Sequence, residues 1–238
     1  MKKILTLAII LMLAVSCSQL QDLAKQLPDT AQSLTDADIA RALKQALNQG
    51  IDKEVSKLMQ TGGFYNQPDV RILFPPELQK VENTLRKIGL GSLADEGVRK
   101  LNRAAEEAVK EAKPIFVQAI KEMSIQDARN ILMGDSTAAT RYLQEKTREQ
   151  LYRKFYPIVQ SNFAKVGADK IWNRLISRYN QVPFVQKVNP DLTDYVTNQA
   201  LQGVYRKIAV EEVKIRKDVR ERTTDLLRKV FALQDRNP

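Results

Sequence analysis

The 238-residue sequence contains no histidine, one cysteine and one tryptophan, and each shortage removes a class of chemistry. Without histidine there is no Ser-His-Asp or Cys-His constellation within the chain, no histidine-bearing zinc site and no histidine-ligated haem. The side chain that normally switches charge near neutral pH is missing with it. A lone cysteine makes no disulfide within the chain. No Ser-x-x-Lys occurs, so the cue for a penicillin-recognising serine enzyme is absent too. Aromatics make up only 6% of the residues. The apolar run Ile4 to Leu13 falls short of the roughly 20 residues that a spanning helix needs. No cofactor and no metal site is expected. Chemistry, if any, is left to carboxylates, lysine, tyrosine or a metal held by oxygens.

What is present begins with Met1 to Cys17, MKKILTLAIILMLAVSC. Lys2 and Lys3 supply a positive start, the apolar run follows, and small residues lead to the cysteine, the order of an export signal. Ala14-Val15-Ser16-Cys17 resembles the lipobox of bacterial lipoproteins. Cleavage is expected between Ser16 and Cys17, with lipid attached to the Cys17 thiol. A plain secretory signal with Cys17 incidental is the alternative, but a free thiol in an oxidising compartment is a liability. Residues 1–16 therefore read as signal, 17–35 as lipidated N-terminus and tether, and 36–238 as the domain. Ser18 after the cysteine points to an outer membrane facing the periplasm. About 18 flexible residues reach roughly 25 Å.

From Asp36 the apolar residues take helical spacing. Ile39, Leu43, Leu47, Ile51, Val55 and Leu58 mark one helix, stopped by Gly62-Gly63, with Gly50 inside it as a sign of close packing. Leu78, Val81, Leu85 and Ile88 mark the next. Ser92 with Asp95 and Ser124 with Asp127 each read as a helix start. Pro114 divides the helix that follows Ser92 from Ile115–Met123, and Pro157 predicts a kink in the long helix from Ser136 to Gly167. Further helices are predicted over Ala168–Tyr179, with Trp172, over Asp191–Asp218 and over Thr223–Leu233. Two stretches lack helical period, FYNQPDVRILFPPEL and NQVPFVQKVNPD, and their RILF and VPFV segments are candidates for one short two-stranded pairing. The fold expected is all-α, a single bundle-like domain of about eight or nine helices.

Other motifs are weaker. Gly89-Leu90-Gly91-Ser92-Leu93-Ala94 fits G-x-G-x-x-A, but it follows a helix, so a helix end, turn and helix start explain it better than a phosphate cradle. Glu106-Glu107 and Glu211-Glu212 are adjacent acidic pairs whose neighbours point about 100° apart on a helix, so neither is a preformed dyad. They read as solvated or paired with Lys110, Lys207 or Arg216. Arg141–Arg178 carries a local charge of +6. It reads as a wet helix face first and an anion or headgroup contact second; nucleic acid is not expected as a partner of a membrane-tethered, exported chain.

Several phrases together, GGFYNQPDVRI, LRKIGLG, LNRAAEEAVKEAKPIFVQAI, the run from DARNILMG to AATRYLQEKT, YVTNQALQGVY and RTTDLLRKVF, carry a family likeness. The sequence after Ala37 resembles the exported bacterial proteins grouped as domain of unknown function 4197. The resemblance implies a helical, envelope-located domain, often behind a lipoprotein signal, and implies no activity. It also singles out polar residues that packing alone does not need: Asn102, Arg103 and Glu106, then Thr140, Tyr142 and Thr147, then Tyr195, Glu212 and Arg216. They are candidates to line one ligand site. The competing reading is that they cap helices and satisfy buried polar groups. Phe64 and Tyr65 form either a binding-loop tip or a plug. Three functions fit: a non-catalytic envelope lipoprotein binding an amphiphilic ligand or a protein partner near the membrane, a carboxylate enzyme using Glu106 or Glu212 on envelope material, or a structural and assembly component.

Overall fold

A computed structural model of the chain describes residues 34–165 and 191–235, with positions 167, 177, 180, 181 and 187 between them. The signal, Cys17, the tether up to residue 33, the helix expected around Trp172 and the VPFV segment lie outside the described residues. Asp36–Pro238 forms one compact unit. Its helices are α1 (Asp36–Leu58), α2 (Gln79–Lys87), α3 (Gly91–Val109), α4 (Ala112–Glu122), α5 (Ile125–Leu132), α6 (Ala138–Ala164), α7 (Leu192–Lys217) and α8 (Asp225–Asp235). Single 3-10 turns precede α2 at Pro76–Leu78 and α8 at Val219–Glu221. The fold is all-α, and no strand occurs among the described residues.

The apolar stripes face one another as their spacing requires. Ile39, Leu43, Leu47, Ile51, Val55 and Leu58 of α1 are all buried, and α1 packs on α4, α5, α7 and α8. The long α6 and α7 lie along each other, with α3 and α4 against α6. Leu143, Leu151 and Phe155 of α6 and Val196, Ala200 and Val204 of α7 are fully inaccessible. Each large side chain of this kind contributes about 1.5–3 kcal/mol through its removal from water. Gly50 turns toward α7, where a methyl group in its place would stand 3.5 Å from Glu211 Cγ.

Helix boundaries depart from the sequence reading in two places. Pro114 does not divide a helix. It sits in the first turn of α4, where no N–H is needed, and the break falls earlier, at Lys110-Glu111. Ser92 does not cap α3, which starts at Gly91 behind Leu90 without a side-chain cap. Asp95 is drawn instead to Arg86 of α2, 2.7 Å away. The second motif forms as expected: Ser124 Oγ accepts the Asp127 N–H, and Asp127 accepts the Ser124 N–H, both at 3.0 Å. The Ser124 hydroxyl, which donates to the Asp127 carboxylate at 2.7 Å, and then the Ser124 N–H hold that carboxyl below its ordinary range. Pro157 lies within α6, which continues to Ala164.

Residues 59–75 form an irregular segment seated on α3 and α7. Phe64 is fully buried, with its ring over Gly203 of α7, where a Cβ would come within 2.7 Å of Cε1. Phe74 lies over Gly97 of α3 in the same way, at 2.6 Å. Glycine at these two positions is a packing requirement. Phe64 is therefore a plug and not a binding-loop tip.

Candidate functional site

The polar residues singled out by sequence do not converge. The structure divides them among separate networks, two of which satisfy backbone groups at helix ends or in the irregular segment.

The first network sits on the C-terminal half of α7. Glu212 meets the start of α6: its Oε1 accepts the Ala139 N–H at 2.9 Å, and its Oε2 accepts both the Thr140 N–H and hydroxyl at 2.8 Å. Arg216, one turn on, donates Nε to Glu212 Oε1 at 3.0 Å. Its remaining nitrogens reach the end of α5, donating to the Ile131 carbonyl at 2.7 Å and the Leu132 carbonyl at 3.1 Å. Both side chains are nearly inaccessible, 6% for Glu212 and 2% for Arg216. A carboxylate thus closes a helix N-terminus and a guanidinium a helix C-terminus, the polarity that the peptide dipoles favour. The expectation that Glu211 and Glu212 are solvated is corrected, because both are buried. Glu212 does pair with Arg216, as its spacing suggested.

Arg222 extends this network, and sequence reasoning missed it. Its side chain is fully buried, donating to the Ile215 carbonyl at 3.0 Å and the Arg216 carbonyl at 2.7 Å, so it closes the end of α7. It also makes two bonds to Asp235 of α8, at 2.6 and 2.9 Å, and lies over the Phe231 ring. The guanidinium holds the Asp235 carboxyl below its ordinary range. One arginine among 38 basic residues carries no sequence signal of such a role.

The second network fastens the irregular segment to α3. Asn102 Oδ1 accepts the Ile72 N–H at 2.8 Å while Nδ2 donates to the Ile72 and Val98 carbonyls at 2.8 and 2.7 Å. One side-chain amide thereby takes both backbone groups of Ile72, as a neighbouring strand would. Glu106 Oε1 accepts the Phe64 N–H at 3.2 Å. Arg103 bonds Thr61 at 2.8 Å and pairs with Glu107 at 2.5 Å, and the Tyr195 hydroxyl donates to the Leu73 carbonyl at 3.2 Å. Glu106 is buried; Glu107, half-exposed, also pairs with Lys110 at 2.5 Å, which lowers its pKa. The neighbours of the acidic pair thus have opposite fates.

The third group joins α6 to α4 and α7. Thr147 donates to the Leu143 carbonyl at 2.6 Å and lies 2.8 Å from the Tyr205 hydroxyl, with the Tyr205 ring edge-on to Phe116. Burial pushes the Tyr205 phenol up to about 12. The Tyr142 hydroxyl makes a long contact, 3.5 Å, to the Ala119 carbonyl, and Lys146 lies over the ring. On the neighbouring face of α7, Lys53 lies 2.5 Å from buried Glu211, whose bond raises the lysine pKa.

Glu106 and Glu212 belong to different networks, and the hydrogen bonds of each run to backbone groups and to its arginine. Among the described residues no group of three or more acidic, histidine or cysteine side chains is placed to hold a metal ion. The apolar cavity between α1, α7 and α8 is about 20 Å³, room for a water and not for an acyl chain. The described part of the basic stretch is a wet face, with Arg141 paired to Asp135 at 2.6 Å and Arg148 bonded to Asn198 at 3.1 Å. Among the described residues no helix is long and apolar enough to cross a membrane.

Neither a curated protein nor a solved structure matches the chain. The likeness read from GGFYNQPDVRI and the phrases after it has independent support, since the family described as "Protein of unknown function (DUF4197)" matches residues 33–232, and the chain belongs to that family.

Proposed function

We propose that this protein is a lipid-anchored component of the bacterial cell envelope whose helical domain acts through its outer surface, as a binding or assembly element, and not by catalysis. One observation carries the non-catalytic part: Asn102, Glu106, Glu212 and Arg216 are buried and bonded to backbone, and buried Thr140 is bonded to Glu212, so they build the domain instead of presenting chemistry. An amphiphile buried in the helical core has little support, because the cavity beside Arg216 is too small for one. A partner that meets the surface is favoured over a swallowed ligand. The anchor rests on the sequence from Lys2 to Cys17, with its charged start, short apolar run and single thiol.

Cys17→Ala tests the anchor in cells fed a clickable fatty acid. The wild-type chain should take up label, and the variant should lose it and accumulate as precursor or be released from membranes. Labelling that survives the substitution removes the anchor from this reading.

A further inference from the structure

The corner between α2 and α3 is a helix turn that carries exposed apolar side chains. Among the described elements, α2 packs on α3 and on the 3-10 turn before it, so the two helices form a hairpin at the margin of the domain. Its tip is Lys87-Ile88-Gly89-Leu90-Gly91-Ser92-Leu93-Ala94. Gly89 ends α2 at φ +82°, and the Leu93 N–H closes the turn on the Leu90 carbonyl at 3.1 Å. The glycines that look like a nucleotide fingerprint thus make a tight corner, and what the corner presents is apolar. Ile88 is 63% exposed, Leu93 55% and Leu90 41%.

The patch continues onto the body. Gly97 lies one turn after Leu93 on the same face of α3, and half-buried Phe74 covers it. A monomer gains nothing by holding three large apolar side chains in water at one turn, and clusters of this kind mark contact surfaces.

The charges around the patch choose the occupant. From Lys87 to Ala94 there is no acidic residue. Behind the tip, Asp95 is already met by Arg86 at 2.7 Å and Glu96 by Lys100 at 3.1 Å, while Lys87 and Arg99 are exposed. Residues 86–100 carry a net +2, in a chain of net +10. Leucine and isoleucine at a turn, with lysine and arginine set back from it, suit an anionic lipid surface. The apolar tip enters among the acyl chains, and the long cations stay at headgroup level. The lipobox cysteine stands 18 residues before Thr35, so the tether would hold the domain within tens of ångströms of a bilayer.

We infer that the α2–α3 corner is a second membrane contact, in which Ile88, Leu90 and Leu93 dip into a bilayer rich in anionic phospholipid and set how the domain stands on it. This rests on the anchored reading for its membrane, and its test separates the two. With Cys17 acylated, Leu90→Cys supplies the only free thiol of the mature protein, so an environment-sensitive fluorophore can be placed there alone, and at Ser161→Cys on exposed α6 as a control. The mature protein is reconstituted in vesicles of phosphatidylethanolamine with or without 30% phosphatidylglycerol.

The expected result is a blue-shifted position-90 label, quenched by nitroxide-bearing lipids in the anionic vesicles at least threefold more than the position-161 label. Ile88→Ser with Leu93→Ser should abolish the difference, and Lys87→Glu should weaken it. A position-90 label that stays in water overturns the inference. So does a shift that appears without lipid and grows with protein concentration, which would assign the patch to a second copy of the chain. If Cys17 itself takes up the fluorophore, the anchored reading fails on its own. The tip is then judged by the same criteria in Cys17→Ala/Leu90→Cys protein mixed with the same vesicles.

Discussion

The two main polar networks do the same job with different materials. On α7, Glu212, Arg216 and Arg222 join helix ends through ionised groups that are almost wholly removed from water. On α3, the bonds to Ile72 come from the neutral amide of Asn102. Buried charge is costly to desolvate and is tolerable only when fully partnered, so losing one member strands the other. A neutral amide risks less, since its loss leaves unmet backbone bonds but no uncompensated charge. The Glu212–Arg216 junction should therefore be the brittle site and the Asn102–Ile72 clasp the forgiving one.

Arg216→Ala is expected to break this comparison most visibly. It strips Glu212 of its counter-charge and the Ile131 and Leu132 carbonyls of their donors, a loss of about 3–5 kcal/mol by analogy with broken buried ion pairs. Urea unfolding followed by circular dichroism measures it, and a loss below about 1 kcal/mol would mean that the pair is solvated in solution. Asn102→Ala should cost less, about 1–3 kcal/mol, by stranding the buried Ile72 N–H. Asn102→Asp sharpens the contrast. It keeps the acceptor for Ile72 but loses both donated bonds and adds buried charge, so it should be the worse substitution at pH 7 and approach Asn102→Ala as the pH falls. If both Asn102 variants exceed Arg216→Ala, the ranking of the two regions is reversed.

The smallest effect is a pH dependence. Asp235 has its carboxyl pKa depressed in the folded state by Arg222, so its contribution to stability is present above the unfolded value of about 3.9. It is lost as the pH drops through the depressed folded value. The stability gap between wild type and Asp235→Asn should accordingly be full at pH 6 and shrink below about pH 4. Paired unfolding curves check this, and a gap that is constant with pH would detach Asp235 from the arginine.

The sequence made the helices legible because their apolar stripes are local, as in Ile39 to Leu58. It made the caps legible only by chance of context. Ser124-x-x-Asp127 and Ser92-x-x-Asp95 are the same signal, yet Asp95 has Arg86 within reach on another helix and Asp127 has no such rival. The chemically unusual residues were also found, since Asn102, Glu106, Glu212 and Arg216 are indeed buried. What they do was not readable, because their partners lie 30 to 85 residues away. Spacing along one helix shows which side chains share a face, but not which helix end that face will meet. Arg222 was hidden although its partners Ile215, Arg216 and Asp235 are near in sequence, because it lies between helices, where no periodicity singles it out.

The place of the α7 hub in the chain fixes an order of events during synthesis. The end of α5 and the start of α6 are made long before the residues that close them: Glu212 follows Ala139 by 73 positions, and Arg216 follows Ile131 by 85. The end of α7 waits for Arg222, and Arg222 for Asp235. Until the C-terminal half of α7 has been added, the end of α5 and the start of α6 lack the side chains that close them. These two junctions are therefore closed late, by residues made well after the helix ends they serve.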